Sequence, residues 1–180
     1  MQHHLYPFVP RRSEREITEA QQLRALLHAA LVGRVGVIAL GEPYIVPMNF
    51  AYEQREGTLG KIILHGAGQG RLFQALEGTP VVCFEIDAFI ETLPHPVLCE
   101  YDTAYTSVIC WGRVHQVMTV EARTVALRLF ARKYASVEKA EALKERTVER
   151  FRSDMDAQTS VYEILLERMT GKQQLRPASS

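Results

Sequence analysis

The residues with the clearest chemical potential are Leu64-His65-Gly66-Ala67-Gly68-Gln69-Gly70-Arg71. An apolar run from Gly60 to Leu64 precedes them and reads as a strand, and Leu72-Phe73-Gln74-Ala75-Leu76 follows as the start of a short helix. A small-residue turn between strand and helix suits a phosphate. Glycine permits positive φ and close approach of the backbone to an anion. The free N–H groups and dipole of a helix N-terminus favour negative charge. Arg71, at the exit of the turn, carries a guanidinium that grips phosphate through two parallel hydrogen bonds. His65 stands at the entrance. The same glycines are also ordinary turn punctuation, and their spacing is neither the dinucleotide fingerprint nor the Walker loop.

Two further stretches carry chemistry. Val46-Pro47-Met48-Asn49 lies within an expected strand from Tyr44 to Tyr52. Proline cannot donate to a sheet ladder, so Pro47 implies an edge, a bulge, or a place where something else meets the backbone. Asn49 shares its face. Two readings stand: an edge strand with a solvated asparagine, or a flat polar ligand lying along residues 46–49. The other stretch is a long strand from Tyr105 to Met118. Alternation puts Ser107, Ile109, Trp111, Arg113 and His115 on one face and Val108, Cys110, Gly112, Val114 and Met118 on the other. The first face suits a ligand wall or an interface, or the outer side of a barrel on water.

The whole chain narrows the classes. Its 180 residues, 47% hydrophobic and 23% charged, are ordinary for one globular domain. With 21 basic and 21 acidic residues the net charge is zero, which argues against a nucleic-acid surface or a membrane-surface helix. Met1 to Pro7 lacks a basic segment followed by an apolar core, and no apolar run has the length of a membrane span, so a cytoplasmic location is expected. Cys83, Cys99 and Cys110 match no zinc spacing, and no metal site is expected.

These residues need a scaffold. Residues 1–16 read as an N-terminal arm, solvated or lying across a partner subunit. Thr18-Glu19-Ala20-Gln21 fits a capping box for a helix with Leu23, Leu26, Leu27, Ala30 and Leu31 on one face, ended by Gly33. Arg34 to Leu40 is an apolar strand, and Gly41-Glu42-Pro43 turns it into the strand from Tyr44 to Tyr52. Leu59 to Leu64 is a third strand, and the helix after it stops near Gly78-Thr79-Pro80. Val81 to Ile86 is a fourth. Residues 87–104 form a long connection, expected to cover a site or a subunit contact. After the fifth strand come an amphipathic helix over 120–135, with Val125, Leu129, Phe130 and Tyr134 on one stripe, and a charged helix from Glu138 to Arg152. Thr159 to Met169 is a sixth strand, and residues 173–180 are a loose tail. The sum is a mainly β protein with flanking helices, a small six-stranded antiparallel barrel.

Several pieces then occur in a familiar order: the basic arm running into Ile17-Thr18-Glu19, the strand Pro43 to Phe50, the turn His65-Gly66-Ala67 with Gly70-Arg71, Tyr105-Thr106-Ser107-Val108 with Gly112-Arg113, and Thr170-Gly171-Lys172. Together they resemble the pyridoxamine 5'-phosphate oxidase-like flavoproteins, and among these the nitroimidazole-resistance (Nim-type) branch, over residues 11 to 172. The resemblance implies a split β-barrel of the FMN-binding type, spanning residues 17–172, that forms a homodimer with FMN in two interfacial clefts. It places Val46, Pro47, Met48 and Asn49 along the flavin ring, His65, Gly66 and Ala67 beside it, Arg71 and Ser107 at the phosphate, and Trp111 near the cofactor of its own or the partner's site. It implies an oxidoreductase, nitroreductase-like, acting on a small molecule; His65 is the candidate proton-transfer residue because an ordinary imidazole titrates near neutral pH. The alternative is a non-catalytic flavin or haem carrier or sensor, and for His65 a structural imidazole donating to a backbone carbonyl. Two departures remove cations: Leu72 where relatives carry lysine, and Thr106 where they carry arginine. The expected consequence is loose FMN binding, another anionic ligand, or compensation by Arg113 or the N-terminal arginines.

Overall fold

A computed structural model describes residues 11–78, 81–153 and 156–176. The first ten residues of the expected arm, Thr79-Pro80 of the expected helix stop and residues 177–180 of the expected tail lie outside the described residues.

The elements, in chain order, are α1 (Ala20–Ala29), β1 (Val32–Ala39), β2 (Glu42–Asn49), β3 (Ala51–Glu53), β4 (Lys61–Gly66), α2 (Arg71–Gly78), β5 (Val81–Leu93), β6 (Asp102–Gln116), α3 (Val120–Tyr134), α4 (Val137–Ala142), α5 (Glu145–Arg150) and β7 (Ser160–Gln174). Among the described residues the strands form a single antiparallel sheet of seven, not six, in the order β2-β1-β5-β6-β7-β4-β3. The extra strand arises at Phe50. The run from Tyr44 to Tyr52 breaks there, and its two parts pair with different neighbours: β2 with β1, and β3 with β4. The two edges of the sheet are thus joined through one residue, so the sheet curls on itself without a ladder between its edges. Phe50 is fully buried in the seam and packs edge-on against Phe84, with ring centroids 4.8 Å apart.

Alternation positions the core. In β1, Gly33, Val35, Val37 and Ala39 point inward. Gly33 does not end α1, which stops at Ala29; a Cβ at residue 33 would lie 2.1 Å from the Phe84 ring, so the aromatic occupies the space that a side chain would need. Nor does Thr18 cap α1. Its N-cap is Glu19, without a side-chain bond. Leu23 and Leu27 from α1 and Leu72, Phe73 and Leu76 from α2 pack into the same core as the inward-facing strand residues. Leu72 is therefore a core residue, and a lysine there has no route to water without disrupting the packing. A smaller cluster of Ala51, Ile63, Ala126, Phe130 and Val161 seats α3 on the opposite face of β3, β4 and β7.

Strands that looked short are long. β5 and β6 run on as a twisted ribbon with a register shift between Phe89 and Glu91, so most of residues 87–104 is ladder rather than loop. The expected charged helix from Glu138 to Arg152 is two short helices, α4 and α5. β7 continues past Met169 to Gln174. Its far half is joined by the N-terminal arm: Ile17 N–H donates to Gly171 O at 2.9 Å, and Arg15 bonds Asp102 at 2.6 Å. A buried ammonium, Lys61, is held between Glu163 (2.5 Å) and Glu53 (2.9 Å), which satisfies a charge that burial alone would make very costly. Among the described residues no helix is long and apolar enough to cross a membrane.

Candidate functional site

The edge strand β2 presents its backbone outward. Leu40 and Gly41 both have positive φ (56° and 83°), the signature of a two-residue hairpin turn. Such a turn makes Ala39 and Glu42 a hydrogen-bonded pair, and antiparallel pairs then alternate. Ile38–Pro43, Gly36–Ile45, Arg34–Pro47 and Val32–Asn49 are accordingly the non-bonded pairs of the register. Both prolines fall where a missing N–H loses no ladder bond. The open edge is left with the N–H groups of Ile45 and Asn49 and the carbonyls between them. Val46 and Met48 turn half-buried side chains onto the core, while Pro47 and Asn49 stand exposed. The Asn49 amide donates to Leu31 O at 3.2 Å.

The glycine turn abuts this strand. Gly66 ends β4, and a Cβ there would sit 2.5 Å from the Phe73 ring. Gly68 and Gly70 have φ of +67° and +94°, a region in which other residues are strained. Ala67 is half-buried between them and β4. α2 begins at Arg71, and its first helical bond runs from Gln74 N–H to Gly70 O at 3.2 Å. The Arg71 guanidinium lies 5.2 Å from the centre of the Tyr44 ring and 3.8 Å from the Glu42 carboxylate, so the turn and β2 form one continuous surface. His65 packs edge-on against Phe130 at 4.4 Å between ring centroids, and burial lowers its pKa. Among the described residues its ring makes no hydrogen bond, so the expected donation to a backbone carbonyl is not found there.

Ser107 and Trp111 lie elsewhere, on the outer face of β6. They line a cavity of about 190 Å³ together with Glu16, Ile109, Arg168, Thr170, Gly171 and Lys172, and with none of residues 46–49, 65–67 or 71. Ser107 also borders a cavity of about 420 Å³ between the end of α1 and the β5–β6 ribbon, with Thr106, Arg34 and Asp87 in its wall. One protomer therefore carries two separate groups of expected site residues. Of the expected compensating cations, Arg113 bonds Glu167 at 2.8 Å, Arg15 bonds Asp102, and Arg12 pairs with Glu14. Arg168, whose guanidinium carbon is 3.6 Å from the centre of the Trp111 ring, and Lys172, directly across the ladder from Ser107, were not among the expected residues. Their signal in the sequence was the period of two in Arg168, Thr170 and Lys172, which puts all three on one strand face.

A bracket from α3 holds the seam beside the site. The Tyr134 hydroxyl lies 2.6 Å from Leu31 O and 2.9 Å from Phe50 O, and accepts from Phe50 N–H at 3.0 Å. Lys133 sits 3.8 Å above the Phe50 ring, where burial lowers its pKa to about 8. The lowered value means that the unfolded chain binds more protons than the folded one between about pH 8 and the ordinary 10.5. Stability gains a contribution as pH rises through that window and loses it as pH falls through about 8. Urea unfolding from pH 7.5 to 10 is expected to show a midpoint climbing more in the native protein than in Lys133→Met. Parallel pH curves refute it.

The sequence profile of the family described as pyridoxamine 5'-phosphate oxidase matches residues 19–173. No curated protein matches the chain. Among solved structures, a candidate 5-nitroimidazole antibiotic resistance protein from Bacteroides thetaiotaomicron is 26% identical with a TM-score of 0.65, over 87% of this chain and 85% of that one. A flavocytochrome from Azotobacter vinelandii is 22% identical with a TM-score of 0.73, over 96% and 75%. An FAD and heme binding protein from Mycobacterium smegmatis is 18% identical with a TM-score of 0.71, over 92% and 77%.

Proposed function

The chain belongs to the pyridoxamine 5'-phosphate oxidase family, and from that premise we propose that it is a cytoplasmic, homodimeric FMN-binding protein that acts as a nitroreductase-like oxidoreductase on a small molecule. The observation that carries the proposal is the surface formed by the open edge of β2, the positive-φ glycines and Arg71. Edge N–H and carbonyl groups suit the alternating acceptors and donors of a flavin ring. The turn and the guanidinium suit its phosphate. A second copy would complete the cleft, because Ser107 and Trp111 line a cavity that none of residues 46–49, 65–67 or 71 borders. The outer face of the sheet also exposes Val32, Ile38 and Ile45, apolar side chains that association would cover.

The flavin, when bound, supplies the redox chemistry. The protein's part is to position it and to handle protons. His65 is the proposed proton-transfer residue: burial keeps its imidazole neutral at neutral pH, and no described hydrogen bond fixes its tautomer. The test is a visible absorption spectrum of the purified chain with and without added FMN, run beside its size in solution. Perturbed flavin bands on a dimer are the expected result. A haem-type band instead moves the function to the carrier or sensor alternative, and a colourless protein that ignores FMN overturns the proposal.

A further inference from the structure

The outer face of β6 and β7 holds two cations that no carboxylate answers among the described residues. Most cations nearby are neutralised: Arg34 bonds both Glu85 and Asp87, and Arg113 bonds Glu167. Lys172 and Arg168 have no such partner, and both are half-buried in the wall of the 190 Å³ cavity. Glu16, exposed on its rim, is the antiparallel bridge partner of Lys172, yet its carboxylate forms no ion pair with either cation.

We propose that Lys172 and Arg168 form the phosphate grip of this cavity and take the phosphomonoester of FMN, replacing the cations absent at Leu72 and Thr106. The inference rests on the flavin proposal. The register places Lys172 opposite Ser107, Thr170 opposite Ile109 and Arg168 opposite Trp111. Directly opposed residues of an antiparallel pair have Cβ atoms about 5 Å apart, so an ammonium and a hydroxyl meet at one end of the cavity. At the other end Trp111 supports the guanidinium of Arg168. A stacked guanidinium uses its face and leaves its edge N–H groups free for an anion. The cavity is smaller than the ~300–1,000 Å³ that encloses a whole ligand, so it suits one end of a molecule whose ring lies along another surface. The edge of β2 in the partner subunit is such a surface. Arg71 then approaches the phosphate from one subunit, with Lys172 and Arg168 from the other.

The test compares FMN with riboflavin, which lacks the phosphate, by titration onto the full chain and its Lys172→Gln, Arg168→Gln and Lys172→Arg variants, with melting curves to confirm folding. Lys172→Gln and Arg168→Gln are each expected to weaken FMN by at least about tenfold and leave riboflavin unchanged, the size of one charge-assisted hydrogen bond. Lys172→Arg restores most of the loss. Equal weakening of both flavins, or of neither, overturns the grip, as does a native protein that binds riboflavin as tightly as FMN. A native protein that binds neither flavin overturns the flavin proposal instead. The cavity is then judged on inorganic phosphate alone, read by the fluorescence of Trp111, the single tryptophan of the chain. Saturable quenching that Lys172→Gln removes supports a phosphate site, and no quenching overturns it.

Discussion

Arg71→Ala is expected to lower FMN affinity by at least about a hundredfold while leaving the melting temperature nearly unchanged. The affinity change follows from chemistry. A guanidinium gripping phosphate through two charge-assisted hydrogen bonds contributes about 1.5–3 kcal/mol for each, and every ~1.4 kcal/mol is a factor of ten in affinity. The lower end applies, because the side chain is about half exposed and must leave Glu42. The small stability change follows from the structure. An exposed ion pair at 3.8 Å contributes at most about 1 kcal/mol, and the contact with Tyr44 at 5.2 Å is of similar size. Arg71→Lys keeps the charge and loses the planar fork, so an intermediate affinity is expected. Isothermal titration and thermal melts check both halves. Unchanged affinity with a lowered melting temperature makes Arg71 a structural residue and removes the glycine turn from the site.

How much of this was legible in the sequence depends on the length scale of the signal. The turn from His65 to Arg71 was readable because strand, glycines and helix are adjacent in the chain, and the structure keeps them so. The antiparallel, mainly β architecture was readable from alternation. The curl of the sheet was not. It depends on Phe50 handing the chain from one edge to the other, and nothing local distinguishes that residue from the apolar positions around it. The ribbon of β5 and β6 was hidden for a related reason: Glu91 and Thr92 read as loop, yet they sit in a two-stranded extension beyond the end of the β6–β7 ladder. Arg113 was a plausible compensating cation on its face of β6, but its partner Glu167 comes from a strand more than fifty residues away. Such pairings are set by register, which a single strand does not reveal. Lys172 was visible only as the end of a motif until the ladder put it across from Ser107.

The seam at Phe50 makes Tyr134→Phe the most destabilising conservative change expected in this chain, on the order of 2–3 kcal/mol. The ring survives in the variant, along with its stacking on Phe130 at 5.9 Å. What is lost is one hydroxyl that accepts from Phe50 N–H and whose single proton goes to Leu31 O at 2.6 Å or Phe50 O at 2.9 Å. Phe50 is fully buried, so its N–H has no water to turn to, and a buried donor left unpaired costs about 1–3 kcal/mol by itself. Denaturant unfolding measures the loss. A midpoint within error of the native value would mean that the seam is held by the Phe50 and Phe84 rings rather than by the hydroxyl. The consequence reaches the site, because Asn49 bonds the same Leu31 carbonyl and is the last residue of β2. Loosening the seam frees the end of the edge strand that is proposed to lie along the flavin. Tyr134→Phe is therefore expected to weaken riboflavin and FMN alike, whereas the Lys172 and Arg168 variants act on FMN alone. That contrast separates the positioning of the ring from the holding of its phosphate.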